Sequence, residues 1–212
     1  MIKRILVTAG PTREKIDPVR YISNYSTGIF GYEIASAAKS RGLSVVLVSG
    51  PTLLPAPKGV KFVSVESADE MRKAVLKFLA WSDCVVMTAA VADWRPKHSA
   101  RRKIKKGRVR LIELIENPDI LAEVGRLKKE RVAVGFALET ENLEKNALKK
   151  MKDKNLDIIV ANRLTKKRNV FGDKTLDVVT IDRFGNRTRI FDKSKSKLAK
   201  IILDKALKFR IH

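Results

Sequence analysis

Glutamine is missing from this 212-residue chain, cysteine occurs once, histidine twice, and aromatic residues make up only 6%. A single cysteine, Cys84, excludes an internal disulfide, and its apolar surroundings favour an inert buried thiol over a nucleophile. His98 and His212 have no Cys or His at ligand spacing, and no His-Glu-x-x-His helix is present, so a built-in zinc site is disfavoured. No apolar run approaches the roughly 20 residues of a membrane-spanning helix; the stretch from Ser82 to Val91 is broken by Asp83. Met1 to Val7 runs straight into a strand-like segment, without the charged and apolar blocks of a secretory leader. Together these absences predict a cytoplasmic protein with no membrane partner.

Charge is abundant. Lys plus Arg number 45 against 23 Asp plus Glu, a formal net charge of +22, while 44% hydrophobic residues suffice for a substantial core. The excess is uneven: residues 1–100 carry 14 basic and 8 acidic groups, and residues 101–212 carry 31 and 15. Such a balance calls for an anionic partner, either nucleic acid or a small phosphorylated substrate. The lack of Gln beside abundant Lys, Arg and Glu is similar to the composition of proteins from hot environments and bears on stability.

Periodicity predicts an α/β protein. Ile5 to Thr8, Leu43 to Val48, Val60 to Val65, Cys84 to Thr88, Val132 to Phe136 and Leu156 to Val160 read as short buried strands. Helices are expected from Gly31 to Arg41, from Ala68 to Ala80 after a Ser67 cap, and from Glu141 to Asp153. Strands separated by helices imply βαβ crossovers, hence a Rossmann-like, mainly parallel sheet with helices on both faces. Residues 95–110 hold seven basic residues after Lys97 and predict a mobile basic flap. Residues 176–192 around Arg183-Phe184-Gly185-Asn186 predict a C-terminal β-hairpin, with a Lys-rich, solvated helix following. The whole chain, 1–212, reads as one domain.

Several loops at strand ends carry chemical potential. Gly10 follows the first strand, and Ser26-Thr27-Gly28 with Gly31 opens the first helix, where backbone amides can meet a phosphate; tight turns alone would also explain these glycines. Gly-x-Gly-x-x-Gly is absent after strand one, and so is Gly-x-x-x-x-Gly-Lys-Ser/Thr, which disfavours ordinary dinucleotide binding and P-loop chemistry. Asp93, after Ala89-Ala90-Val91-Ala92, either faces a ligand or caps a turn. Lys103-Ile104-Lys105-Lys106 is a solvated basic patch or a set of cations that closes over a polyphosphate. Asn117-Pro118-Asp119-Ile120-Leu121 reads as a helix start.

Taken in order, these segments resemble the phosphopantothenate–cysteine ligase family, the phosphopantothenoylcysteine synthetases of coenzyme A biosynthesis. The resemblance runs from about residue 3 to 208. It rests on Thr8 to Glu14, Asp17 to Asn24, Ser26 to Gly28, Ala89 to Asp93, Lys103 to Lys106, Asn117 to Ile120, Gly135 to Ala137 with Glu139-Thr140, and Lys154 to Asp157. It implies a two-step ligation, in which the carboxylate of 4′-phosphopantothenate attacks a nucleoside triphosphate and L-cysteine then displaces the nucleoside monophosphate. It further implies Asn24 and Lys103 as catalytic residues, with Asn24 orienting the acyl intermediate. Nucleotide contacts are implied for Met87, Thr88, Ala89, Asp93, Lys103, Pro118, Asp119, Ile120, Leu121, Phe136, Lys150 and Lys154. Phosphopantothenate contacts are implied for Gly10, Asn24, Ser26, Thr27, Gly28, Ala89 and Ala90.

By the same resemblance the nucleotide is CTP, as in prokaryotic relatives, rather than the ATP of eukaryotic ones, and Mg²⁺ accompanies it, with Asp93 as an indirect metal contact. A homodimer is implied, and so is a phosphopantothenoylcysteine decarboxylase on a separate or a fused chain. Two other readings compete. An NAD(P)-dependent oxidoreductase has the Rossmann-like order in its favour and the missing glycine fingerprint against it. A nucleic-acid-binding module has the charge in its favour, but no aromatic residue interleaves the flap's basic run.

Overall fold

The computed structural model describes residues 1–107, 111–165, 171 and 173–209. The first apolar run forms β1 (Arg4–Ala9), buried on both faces after Arg4. The insertion that follows folds as a small antiparallel hairpin of β2 (Arg13–Lys15) and β3 (Tyr21–Ser23). Next come α1 (Ile29–Ser40), β4 (Ser44–Ser49), β5 (Lys61–Ser64), α2 (Ala68–Leu79) and β6 (Cys84–Met87). The predicted flap emerges from a second ribbon, β7 (Trp94–Pro96) paired antiparallel with β8 (Leu114–Glu116). Then follow α3 (Ile120–Leu127), β9 (Val132–Glu139), α4 (Leu143–Asp153) and β10 (Ile158–Arg163). The chain closes with β11 (Thr175–Asp182), β12 (Arg187–Ser194) and α5 (Lys195–Lys208).

Local chemistry accounts for the helix starts. The Ser67, Asp119 and Ser194 side chains accept from the amides of Glu70, Ala122 and Lys197, satisfying donors that α2, α3 and α5 would otherwise leave open. Eight strands form one sheet in the order β12-β11-β10-β9-β6-β1-β4-β5. The six from β10 to β5 run parallel, while β11 and β12 add antiparallel to β10. Alternating residues feed two layers. Ile5 and Val7 pack toward α1 and α5 with Val132 and Val134, while Leu6 packs toward α2 and α3, and Ala133 toward α4.

The C-terminal hairpin is longer than predicted and extends the main sheet, because β11 continues the β10 ladder from Ile158–Asp182 to Asn162–Val178. The described part of the predicted flap has specific anchor points. Lys97 N–H reaches Glu113 O at 2.9 Å, Ala100 N–H reaches Ile16 O at 2.9 Å, and Ile104 is held by Asp17. Arg108 to Arg110, the last part of the predicted flap, lies outside the described residues, as does His212.

At the amino end of β10 the fully buried Asp157 accepts both of its oxygens' bonds from Lys128 Nζ (2.6 Å each), and also binds Arg183 (3.0 Å) and the Ala133 amide (2.8 Å). This network ties α3's exit, β9, β10 and the hairpin turn into one register. Asp157→Asn keeps the shape but turns an amide toward a buried ammonium, so unfolding free energy is expected to fall by about 2 kcal/mol. Urea denaturation checks this; a fall of no more than about 0.3 kcal/mol would show that the network only fills space.

Candidate active site

The order of the parallel strands reverses between β1 and β6: from β1 the chain first builds outward through β4 and β5, then returns to β6 on β1's other side. Ligands of open α/β sheets collect at the carboxyl ends of strands at such a switch point. Here the two loops are laced together. Thr88 Oγ1 donates to Thr8 O (2.6 Å), Ala89 N–H to Thr8 Oγ1 (3.2 Å), Ala90 N–H to Gly10 O (2.9 Å), and Ala92 N–H to Thr12 Oγ1 (3.0 Å). Above them opens a cleft of about 740 Å³.

One wall comprises Asn24 and Ser26 to Gly31. Asn24 Nδ2 donates to Ala90 O (3.1 Å) and Val91 O (3.2 Å). Two carbonyl acceptors require the NH₂ at that position, which assigns the amide's orientation and commits its donors, so Oδ1 is the atom left to accept from a ligand. Gly28 caps α1 with φ 79° and no side-chain hydrogen bond, and the first turn carries no acidic residue. The open amides of this helix start are suited to an anion. Gly31 serves packing as well: a Cβ there would lie 2.5 Å from Ala9 Cβ and 2.6 Å from Thr88 Oγ1, so only glycine lets α1 approach β1 this closely.

The rest of the wall brings together Met87, Thr88, Ala89, Ala90, Asp93, Pro118, Asp119, Ile120, Leu121, Phe136, Lys150 and Lys154. Lys150 Nζ donates to Phe136 O at 2.9 Å, and the Phe136 ring meets Phe30 edge-on at 5.2 Å. Burial, reinforced by Lys154, pushes the Lys150 ammonium below its ordinary pKa, against opposing attraction from Glu139, Asp119 and Asp93. Lys154 Nζ lies 2.7 Å from Asp119 Oδ2, while Asp119 Oδ1 caps α3. Burial works against ionisation of Asp119, but the bonds from Lys154 and Ala122 outweigh it and hold the carboxyl below its usual range. Asp93 caps none of the five described helices and sits exposed on the cleft wall, its carbonyl accepting from Asn117 N–H at 2.8 Å.

Two residues singled out from the sequence stand elsewhere. Gly10 is buried behind the wall, with Gly28's backbone against its own and Gly50 O 2.9 Å from where a Cβ would be. Lys103 is exposed on the flap and does not line the cleft. Several lining residues escaped the sequence reading, Tyr25, Glu116, Asn162, Phe171 and Lys195, and Asn117 was read there only as part of a helix start. Asn117 staples the cleft rim, donating to Ala92 O (2.8 Å) and accepting from Arg95 (2.9 Å), a role consistent with its place before Pro118. Lys195 corrects the view of the C-terminal lysines as a solvated surface. It is 8% exposed, donates to Phe171 O at 3.0 Å, and its pKa is lowered by burial. No local pattern distinguishes it from its exposed Lys neighbours.

Cys84 is buried in β6, and burial raises its thiol pKa far above the reactive range. Among the described residues no three His, Cys, Asp or Glu side chains converge as a metal cage. Asp93 and Glu116 are cleft carboxylates not tied up as Asp119 is, a donor set that fits a Mg²⁺ carried in on substrate phosphates and does not fit a resident metal. Among the described residues no helix is long and apolar enough to cross a membrane.

Fold and cleft thus define a Rossmann-like α/β protein whose switch-point cleft combines a helix start, an anchored amide and half-buried ammonium groups, a set suited to phosphorylated ligands. Comparison with known sequences is specific about which one: residues 1–209 match the family described as DNA/pantothenate metabolism flavoprotein C-terminal domain, and the chain belongs to it. It is 52% identical over 163 residues to the coenzyme A biosynthesis bifunctional protein CoaBC of Bacillus subtilis, covering 76% of this chain and 40% of that protein. The CoaBC protein of Vibrio cholerae is 49% identical over 164 residues, again with 76% of this chain and 41% of the relative covered. The chain therefore spans about two fifths of the length of these curated relatives. A crystal structure of the C-terminal domain of a CoaBC protein superimposes with a TM-score of 0.83 at 42% identity, covering 96% of this chain and 93% of that one.

Proposed function

We propose that this chain joins 4′-phosphopantothenate to L-cysteine, using CTP to activate the carboxylate. The observation that carries this reading is one cleft holding both an anchored asparagine amide beside an open helix start and the half-buried lysines Lys150 and Lys154, the second paired with the exposed Asp119. The membership in a family whose relatives are named for coenzyme A biosynthesis supports it. In the first step the carboxylate oxygen attacks the α-phosphorus, the bond to the bridging oxygen breaks, and pyrophosphate leaves. Two polyanions must meet for this, and Lys150, Lys154 and the α1 amides offset their repulsion. Bound to the triphosphate, Mg²⁺ would neutralise part of its charge, and Asp93 is the exposed cleft carboxylate that would stand near it.

In the second step cysteine's amine attacks the acyl carbon, CMP leaves with the carbon–oxygen electron pair, and the amine's proton passes to solvent. Asn24 Oδ1 accepts from the attacking amine and aligns it. The reading also predicts a cytoplasmic homodimer that delivers its product to a decarboxylase. Exposed Phe191 on β12 makes the hairpin a candidate for the contact between copies. The direct assay mixes the protein with 4′-phosphopantothenate, cysteine, Mg²⁺ and either CTP or ATP, and measures pyrophosphate and the amide by mass. Turnover with CTP well above ATP is expected; no turnover with either nucleotide would sink the ligase reading.

A further inference from the structure

The turn between β2 and β3 contains an aspartate whose hydrogen bonds exceed what a turn requires. Asp17 is 1% exposed. Its Oδ1 accepts from the amides of Val19 and Arg20, both at 2.9 Å, which is the ordinary work of an aspartate in a turn. Its Oδ2 is aimed at the flap. It accepts from Arg20 Nε (3.0 Å), closely from Arg20 Nη2, and from Ile104 N–H at 3.1 Å. Arg20 Nη2 also donates to Ile104 O at 2.8 Å. One ion pair therefore grips both polar groups of a single flap residue more than 80 positions away, the one between Lys103 and Lys105. Ala100 N–H adds a third link to Ile16 O.

The same hairpin leads directly to Asn24. Ser23 Oγ donates to Thr12 O at 2.7 Å and Asn24 holds the Ala90-Val91 loop, so the stretch from Asp17 to Asn24 is fixed at both ends. The flap's lysines thus extend from a strut braced on the segment that carries Asn24. Charge-assisted bonds of this kind are the stronger sort, yet Arg20's side chain is 49% exposed, so the grip can be released without unfolding the core.

We propose that Asp17 is a positioning residue: through its Oδ2 it clasps Ile104, directly and through Arg20, and so sets where the Lys103-Ile104-Lys105-Lys106 cations stand relative to the cleft. Its catalytic consequence rests on the ligase reading, but the clasp itself does not. Asp17→Asn retains an oxygen for the Val19 and Arg20 amides and replaces the acceptor facing Ile104 with a donor.

Limited trypsin digestion of the free protein reads the clasp without any activity. Cleavage within residues 101–106 is expected to accelerate about tenfold in Asp17→Asn, with the cleavage of α4 at Lys149 to Lys154 unchanged in the folded variant. In turnover, the variant should raise the KM for CTP and slow pyrophosphate release about tenfold, while transfer of cysteine to preformed acyl-cytidylate stays within twofold of wild type. Unchanged flap cleavage in a folded variant would overturn the clasp. Faster flap cleavage with equal loss in both half-reactions would overturn its positioning role. Should Asp17→Asn not fold, Arg20→Met, which removes both the bond to the Asp17 carboxylate and the bond to Ile104 O, must show the same selective flap cleavage, or the proposal falls. Accelerated flap cleavage without ligase turnover in the wild type would leave the clasp standing and remove the reading of the reaction.

Discussion

Replacing Asn24 by aspartate is expected to slow amide formation about a thousandfold while leaving pyrophosphate release within a few-fold of wild type. The substitution is nearly isosteric, so its effect is electrostatic. In the native chain Nδ2 satisfies Ala90 O and Val91 O at 3.1 and 3.2 Å. A carboxylate presents oxygen to both carbonyls, cannot donate to either, and is driven out of the position from which the amide carbonyl would meet the attacking amine. Activation at phosphorus needs cations and helix amides, which the substitution leaves in place. Rapid-quench detection of acyl-cytidylate checks the split: the intermediate should accumulate in Asn24→Asp and decay slowly when cysteine is added. Parallel loss of both half-reactions would remove Asn24 from the second step.

Removing the charge of Lys150 is expected to weaken CTP binding about a hundredfold in Lys150→Met, read by calorimetry. The side chain is held by Phe136 O and desolvated, so an arriving phosphate gains more from it than from a surface lysine. The same burial makes a pH signature. With its pKa lowered in the folded protein, Lys150 loses its proton as pH rises through a value below the ordinary lysine range, and CTP affinity should fall there. Stability moves the other way. Between the folded and unfolded pKa values the unfolded chain holds the proton and the folded chain does not, so the unfolding free energy contributed by this group rises with pH. Lys150→Arg keeps the charge at every accessible pH and should shift the alkaline fall in affinity upward; an unshifted profile would assign that limb to another group.

The strands and helices were legible because they obey local rules. β1, β4, β6, β9 and β10 are apolar on both faces, as parallel strands under two helix layers must be, and Ser67 signals its helix start by a side-chain bond made three residues away. The short β2–β3 hairpin and the β7–β8 ribbon were not legible. Each strand has three residues, too few for an alternation to rise above composition, and each is stabilised by contacts with distant segments, as Arg13 N–H to Glu66 O at 2.8 Å shows.

Most residues singled out in the sequence converge on one cleft, including Asn24, Asp93, Asp119, Phe136, Lys150 and Lys154, although more than a hundred positions separate the first from the last. Gly10 and Lys103 show the limit of motif reading: a motif reports that a segment matters and not whether its side chain stands on the wall, behind it or on a neighbouring strut. Asp157 is a parallel case. It shares a motif with Lys154, yet Lys154 lines the cleft while Asp157 secures the start of β10.

The net charge of +22 announces an anionic partner but leaves its kind open. Composition and periodicity alone determined an α/β sheet without disulfides and a concentration of cations beyond residue 100, because burial, turn chemistry and charge are properties of short windows. Only the tertiary structure separated those cations by role. Lys128 is buried against Asp157, Lys150 and Lys154 enter the cleft, and Lys195 is desolvated beneath Phe171, while Lys103 stays on a flap gripped through Ile104. Their sequence contexts are nearly alike; what distinguishes them is solvent access and the partner across the fold, and both are set by contacts between residues far apart in the chain.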